Sequence, residues 1–254
     1  MIDFLSPIFE NYADWVPRLT SAARLTIFVT LVAYTLAFLG GLAIQFARFS
    51  RLTLLAISAK IYIVVIRGLP ILVILYLIYF ALPQAGITLD ALTAGTLGLG
   101  LVYAAYLAEI FRAGFAAIPA GQREAALALG LTSFQAFRLV LMPQVLRLVL
   151  VPLLVSLISL LKDSSICALI AIPELTLTSR AIMSESFLPL QVFAFTALIY
   201  FCIAFPASRA VGMIAQRLRT PKIRSSHKRS ALITSSYIRT DVSSSSDVPR
   251  NQED

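Results

Sequence analysis

The sequence predicts an all-α polytopic protein that crosses a membrane five times, and three observations carry that prediction. Of its 254 residues, 59% are hydrophobic and only 13% are charged, against about 45–50% and about 25% in an ordinary soluble domain. A chain so poor in charge lacks the polar groups to cover a soluble surface, so its solvent is lipid. The second observation is a set of long uncharged runs, suited to helices across a hydrocarbon core of roughly 30 Å. The third is the lack of period-two alternation. Stretches such as Leu72-Val73-Ile74-Leu75 are apolar without interruption, whereas a transmembrane barrel needs alternating segments of about ten residues.

The spans follow in order. Leu25 to Ala47 carries no charge between Arg24 and Arg48. Gly68 to Leu89 forms the second run, closed by Pro83, Gln84 and Gly86, and Ala91 to Ala108 forms the third, ending at Glu109. The fourth begins at Leu148, is interrupted at Lys162-Asp163 and continues to Ile172; the fifth is Ser186 to Ser208. Residues 1–20 read as an amino-terminal surface segment, with Phe4, Leu5, Ile8, Phe9 and Trp15 interspersed with Asp3, Glu10 and Asp14. That mixture suits a short helix on the membrane surface. It is acidic and has no basic n-region, so it does not read as a cleaved signal peptide. Residues 21–219 form the transmembrane domain, with a loop at 118–146. Residues 220–254 are basic and Ser-rich, a composition that reads as a disordered tail.

The charges orient these spans. Arg48, Arg51 and Lys60 follow the first; Arg112, Arg123, Arg138 and Arg147 follow the third; Arg217, Arg219, Lys222, Arg224, Lys228 and Arg229 follow the fifth. The intervening loops are nearly free of Lys and Arg, with none from Pro83 to Asp90 and only Arg180 from Ile172 to Pro189. The positive-inside rule then places the amino terminus outside and the carboxyl terminus in the cytoplasm. This distribution accounts for the net charge of +8 without a nucleic-acid partner. Cys167, Cys202 and His227 stand apart, so no catalytic residue and no metal ligand is expected, and an enzyme is disfavoured.

The loop at 118–146 is the most informative segment. Pro119 and Gly130 bracket Ala120-Gly121-Gln122-Arg123-Glu124-Ala125-Ala126-Leu127-Ala128-Leu129, the punctuation of a helix with a proline start and a glycine stop. Thr132 stands three residues before Gln135, a capping-box spacing that predicts a second helix, ended or kinked at Pro143. Ala125 and Ala126 offer little bulk, so another protein's backbone could approach, with Arg123 and Glu124 at the edge. The alternative is a helix hairpin that merely joins two spans.

Arg67, Glu109, Lys162 and Asp163 interrupt apolar runs, where a mid-membrane charge costs about 2.5–3.5 kcal/mol on insertion scales. Lys162 and Asp163 are adjacent and point roughly 100° apart on a helix, so each needs a partner elsewhere. Either Asp163, Ser164 and Ser165 line a route for a polar solute, or Lys162 and Asp163 join neighbouring helices through ion pairs. Arg67-Gly68-Leu69-Pro70 predicts a helix break, beside such a route or at a simple kink. Glu109 and Arg112 have the spacing to pair along one helix. Gly40, Gly41, Gly95, Gly98 and Gly100 suit close helix packing.

Glu124-Ala125-Ala126, Gly130 and Val140-Leu141-Met142-Pro143 resemble the "EAA" loop of permease subunits in bacterial ABC-type importers, with Val140 and Met142 as mild departures from that pattern. Arg67-Gly68-Leu69-Pro70, Tyr106-Leu107-Ala108-Glu109-Ile110-Phe111-Arg112, Gly121-Gln122-Arg123-Glu124, Pro143-Gln144 and Lys162-Asp163-Ser164-Ser165-Ile166 resemble the polar amino-acid uptake branch, over about residues 22–218. That branch usually has Thr for Ser164 and Leu for Ile166.

The resemblance implies a type I ABC importer permease arrangement in the inner membrane. It implies docking of a cytoplasmic ATP-binding subunit dimer through Gln122, Arg123, Glu124, Ala125, Ala126, Gly130 and Pro143. It also implies a second permease subunit, identical or not, and a periplasmic or extracellular solute-binding protein. ATP and Mg would be bound by the partner ATPase and no cofactor by this chain, which has no Gly-x-x-x-x-Gly-Lys-Ser/Thr phosphate loop. The expected solutes are polar amino acids, or relatives such as opines or compatible solutes, and the candidate route residues are Arg67, Pro70, Lys162, Asp163, Ser164 and Ser165. A channel or secondary transporter is the rival class, but five helices are few to enclose a path in one chain.

Overall fold

The computed structural model describes residues 10–218, so the tail expected from residue 220 and the first nine residues lie outside it. The compact unit ends at Ala215, and the architecture below is that unit's. The described residues are helical with no strand.

Helix α1 (Tyr12–Arg48) is 37 residues long, about 55 Å at 1.5 Å per residue, and outruns the hydrocarbon core. Residues 12–20, expected within a separate surface segment, instead continue unbroken into the first span. Trp15 and Leu19 explain this, because both are buried against Leu175, Ile182 and Val192. Helices α2 (Thr53–Gly68) and α3 (Ile71–Tyr76, extended by a π turn and a 3-10 turn to Ala85) meet at a 108° bend. Leu69 is extended, as the residue before a proline must be, and Pro70 caps α3. Taken together, the bent pair is long and apolar enough to serve as one broken span. Lys60, placed between spans by the sequence reading, lies on α2, whose Ile63 is buried beside Ala105 and Ala108.

Helix α4 (Ala91–Ala116) is the hub. Asp90 caps it by accepting from the Thr93 amide at 3.1 Å and its hydroxyl at 2.6 Å. In its most apolar window 67% of residues are buried, against 28% in α1. The two helices meet backbone to backbone. A Cβ on Gly41 would stand 2.9 Å from Leu107 Cβ and 3.1 Å from the Ala104 carbonyl oxygen. Small residues are what allow so close an approach.

After α4 come α5 (Ala120–Ala128), α6 (Ser133–Gln135), a π turn (Ala136–Leu141) and α7 (Met142–Asp163). Pro143 does not end the helix. It sits in the first turn of α7, and the widened turn before it accommodates the proline ring and the missing donor. Helix and π turn run on from Ser133 to Ile170 as one apolar span, finished by a 3-10 turn (Ser164–Ile170).

Helix α8 (Leu175–Ser186) and helix α9 (Pro189–Leu218) are separated by left-handed Phe187, so the fifth span starts at Pro189 rather than Ser186. Only 11% of the α9 window is buried, and polar bonds help to hold it. Glu174, fully buried, accepts from the Leu177 amide at 2.9 Å and from the Tyr200 hydroxyl at 2.9 Å, while Thr26 accepts from the Leu175 amide at 3.1 Å. Ser179 and Thr196 share a further bond of 2.6 Å. The described residues thus supply four helices long and apolar enough to cross a membrane, and five when the bent pair counts as one.

Replacing Gly41 with Leu should force α1 away from α4, at a cost of about 1–3 kcal/mol or more for overpacking; thermal unfolding in detergent should show a fall in Tm of several degrees. Burial pushes the Glu174 carboxyl above the ordinary range, against the hydrogen bonds from its neighbours. Above about pH 4.3 the unfolded chain's glutamate is ionised while the native one still holds its proton. Stability should therefore fall as pH rises through that window. In Glu174→Gln this declining component should vanish, leaving a flatter plot of Tm against pH.

Candidate functional site

A cavity of about 730 Å³ opens between the α2–α3 bend, α4 and α7, lined among others by Arg67, Tyr103, Tyr106, Ser156, Ser159 and Asp163. Its walls are apolar, with Ile71, Ile110 and Val155, so its polar groups stand out. The Tyr103 hydroxyl donates to Asp163 Oδ2 at 2.6 Å, joining α4 to the end of α7. The Arg67 guanidinium lies 5.4 Å from the centre of the Tyr106 ring, a cation–π distance. Tyr103 and Tyr106 are themselves 5.8 Å apart, ring to ring. Arg67 and Asp163, each steadied by a tyrosine of α4, therefore face the same space, which Glu109 and Arg112 also line.

At one end of the cavity stands an ion cluster. Glu109 pairs with Arg48 of α1, and its second oxygen accepts from Arg112 Nε at 2.7 Å. The Glu109–Arg112 pair expected from spacing is present, and the third member arrives from the end of α1. Two arginines on one half-buried carboxylate compensate its desolvation.

The loop of residues 118–146 hangs from the same end. Phe49 after α1 meets Phe115 of α4 edge to face at 5.9 Å, and Phe115 stacks on Phe137 of the π turn at 6.1 Å. Helix α5 stands outside these rings. Gln122, Arg123, Glu124, Ala125 and Gly130 are exposed, and no ion pair among the described residues involves Arg123 or Glu124. Ala126 is buried, so of the Ala125-Ala126 pair only Ala125 belongs to the outer surface. Gly130 is left-handed at φ 81°, a conformation that costs other residues. The capping box at Thr132 and Gln135 is formed in both directions.

Leu129 is 83% exposed and Phe134 68%. Sequence reasoning passed over both, although an apolar residue just before a glycine stop was the available signal. Gln144 was also missed as a link. Its Nε2 donates to the Val140 carbonyl at 2.8 Å and approaches Gln122 Oε1 at 3.3 Å, tying the spans to α5. Pro143, beside it, is exposed at the start of α7.

Of the six candidate route residues, Arg67 and Asp163 line the cavity. Pro70 sits at the bend as the α3 cap. Ser164 is fully buried and donates to the Leu161 carbonyl at 2.8 Å, and Ser165 donates to that of Lys162 at 2.7 Å. Lys162 is exposed away from the cavity lining, and among the described residues neither it nor Asp163 joins an inter-helix ion pair. Tyr103, Ser156 and Ser159 are polar lining residues that sequence reasoning did not single out, and Tyr106 was quoted only as part of a motif. No group of three His, Cys, Asp or Glu able to hold a metal occurs among the described residues.

Comparison with known proteins accords with this geometry. Residues 37–220 match the family described as "Binding-protein-dependent transport system inner membrane component". The probable amino-acid ABC transporter permease protein YckA of Bacillus subtilis (strain 168) is 40% identical over 187 residues, covering 74% of this chain and 83% of that protein. The glutamine transport system permease protein GlnP of Escherichia coli (strain K12) is 33% identical over 215 residues, 83% of this chain and 98% of that one. A chain from the crystal structure of an amino acid ABC transporter with histidines superposes with a TM-score of 0.79 at 35% identity, covering 82% of this chain and 98% of that chain. The family match spans most of the chain, and the chain belongs to the binding-protein-dependent transport system inner membrane components, as a permease subunit of an ABC transporter.

Proposed function

We propose that this permease subunit moves polar amino acids inward across a bacterial inner membrane, driven by ATP hydrolysis on a separate subunit that docks on α5. The observation that carries the proposal is the exposed helix α5 held at the foot of a charged cavity. Its outer face is Gln122, Arg123, Glu124 and Ala125, its end is the Gly130 turn with Leu129 outermost, and Gln144 ties its base to α7. A partner that pushes on α5 pushes on the span that carries Asp163.

The cavity supports the solute class. An amino acid carries a carboxylate and an ammonium together, and Arg67 and Asp163 line the same cavity with one charge of each sign, neither of them in an ion pair among the described residues. Glu109 is already matched by two arginines and leaves no demand for a further cation there. The names of the relatives, amino-acid and glutamine permeases, point the same way. An opine or another small zwitterion would meet the same pair of charges. The solute-binding protein would do much of the choosing, on the face opposite α5, and ATP with Mg would be held by the docked ATPase. The positive-inside bias puts α5 in the cytoplasm and the amino terminus outside. A single chain encloses only part of a route, so two permease subunits would complete it.

Gly130→Val should leave membrane insertion unchanged while cutting solute uptake by about tenfold or more, since a β-branched residue resists the left-handed turn. ATP hydrolysis by the assembled transporter should then persist without matching uptake. Unchanged uptake in cells lacking other routes would contradict α5 as the coupling element. Asp163→Asn should reduce uptake of zwitterionic solutes by about tenfold, the scale of a hydrogen bond to a charged group. Proteoliposome uptake assays would read it, and unaltered transport would remove Asp163 from the route.

A further inference from the structure

Lys162 is left unexplained by the cavity and its ion cluster. It stands beside Asp163 at the end of α7, is exposed, and among the described residues joins no ion pair. Its depth makes that costly. Asp163 is bonded to Tyr103, the thirteenth of the 26 residues of α4, about 20 Å from either end of that helix. Lysines snorkel to the head groups only from near a helix end, and charges at mid-depth face protein or a water-filled space. The face that carries Lys162 is therefore covered in the working assembly.

Position and charge narrow what covers it. Ser159 and Val155, one and two turns earlier on α7, line the charged cavity, and by helical spacing Lys162 continues their strip. The open cavity already calls for a second permease subunit on this side. A passing solute comes and goes, so it cannot hold the ammonium between cycles. Two copies of one chain lie the same way up in a membrane, so a two-fold axis between them runs along the membrane normal. Such an axis brings equal depths together and makes each contact twice, residue i on j and j on i. At the depth of Lys162 the described spans hold one carboxylate, Asp163. Glu109, six residues beyond Tyr103 along α4, is already held by Arg48 and Arg112.

We propose that the second permease subunit is another copy of this chain, docked on this strip of α7, with Lys162 of each copy paired to Asp163 of the other. Tyr103 donates to Asp163 Oδ2, and Oδ1 is the acceptor for the ammonium. The two pairs bridge the copies at the middle of the membrane, beside both cavities. A solute ammonium that reaches Asp163 then displaces Lys162, so the pair is a contact that an entering solute opens. The inference rests on the two-subunit reading above, and not on which solute is carried.

The test exchanges the signs. Lys162→Asp gives a copy with two adjacent carboxylates, and Asp163→Lys gives one with two adjacent ammonium groups, so each repels its own kind and attracts the other. Full-length copies bearing two different tags are expressed at equal levels with the transporter partners, and assembled transporters are isolated through both tags in turn. Two wild-type tags should meet in about half of the transporters, the share set by random pairing of identical copies. With Lys162→Asp on one tag and Asp163→Lys on the other, the share should rise to about nine-tenths, because either like pair leaves buried charges unmatched. Lys162→Asp on both tags should cut the yield of assembled transporter about tenfold or more.

Wild-type tags that never meet would give the second place to a different permease and overturn the proposal. So would a mixed share that stays near one-half, or a mixed pair that fails to assemble where the wild type succeeds. No solute enters this readout, so it can fail while the solute route stands, and uptake can fail while it succeeds.

Discussion

The backbone contact between α1 and α4 is the constraint on which the rest depends. Gly41 lies where any Cβ would collide with Leu107 and the Ala104 carbonyl, and a Cβ on Gly100 would come within 3.0 Å of Leu36. In lipid there is no hydrophobic drive to push helices together, so close van der Waals contact must supply much of the association. With α1 locked to α4, Arg48 reaches Glu109, Phe49 reaches Phe115, and Tyr34 reaches the Leu153 carbonyl at 2.7 Å. That last bond brings α7 onto the pair. The cavity wall of Tyr103 and Tyr106 is then the face of α4 that α1 leaves uncovered.

Proline placement sets two joints beside this rigid pair. Pro70 breaks the second span, and Pro143 widens the turn below α7 without ending it. Gln144 satisfies the Val140 carbonyl in the widened turn and touches Gln122 of α5. A helix that continued as a regular α-helix through this joint would leave Gln144 without that task. At the far end of the span the 3-10 turn after Asp163 and the buried bonds of Glu174 connect α7 and α8 to α9. The chain is thus a packed centre with a jointed span beside it.

Features set by local chemistry were readable in the sequence. The capping box at Thr132, the glycine stop at Gly130, the break at Pro70 and the Glu109–Arg112 pair depend on residues a few positions apart, and all are present. Features set by distant neighbours were not. Arg48 joins Glu109 across 61 positions, and Asp163 takes its partner from Tyr103 across 60. Ala126 looked as suitable for an outer surface as Ala125, because only the packing of α5 on the π turn separates them. Pro143 was read as an end or a kink because a proline's cost is local, whereas the widened turn before it belongs to the whole span. Residues 12–20 were read as a surface helix because their burial partners, Leu175 and Ile182, lie far along the chain.

The proposed function requires the cavity between the α2–α3 bend, α4 and α7 to be a solute route that opens alternately to the two sides as α5 is pushed. Ser159 lines that cavity, while Cys202, the exposed native cysteine, can be removed by Cys202→Ser. Reaction of Ser159→Cys with a membrane-impermeant thiol reagent, applied to one side at a time in the assembled transporter, measures the opening directly. The reactive side should switch between the nucleotide-free state and the ATP-trapped state. The same side reacting at the same rate in both states would contradict it.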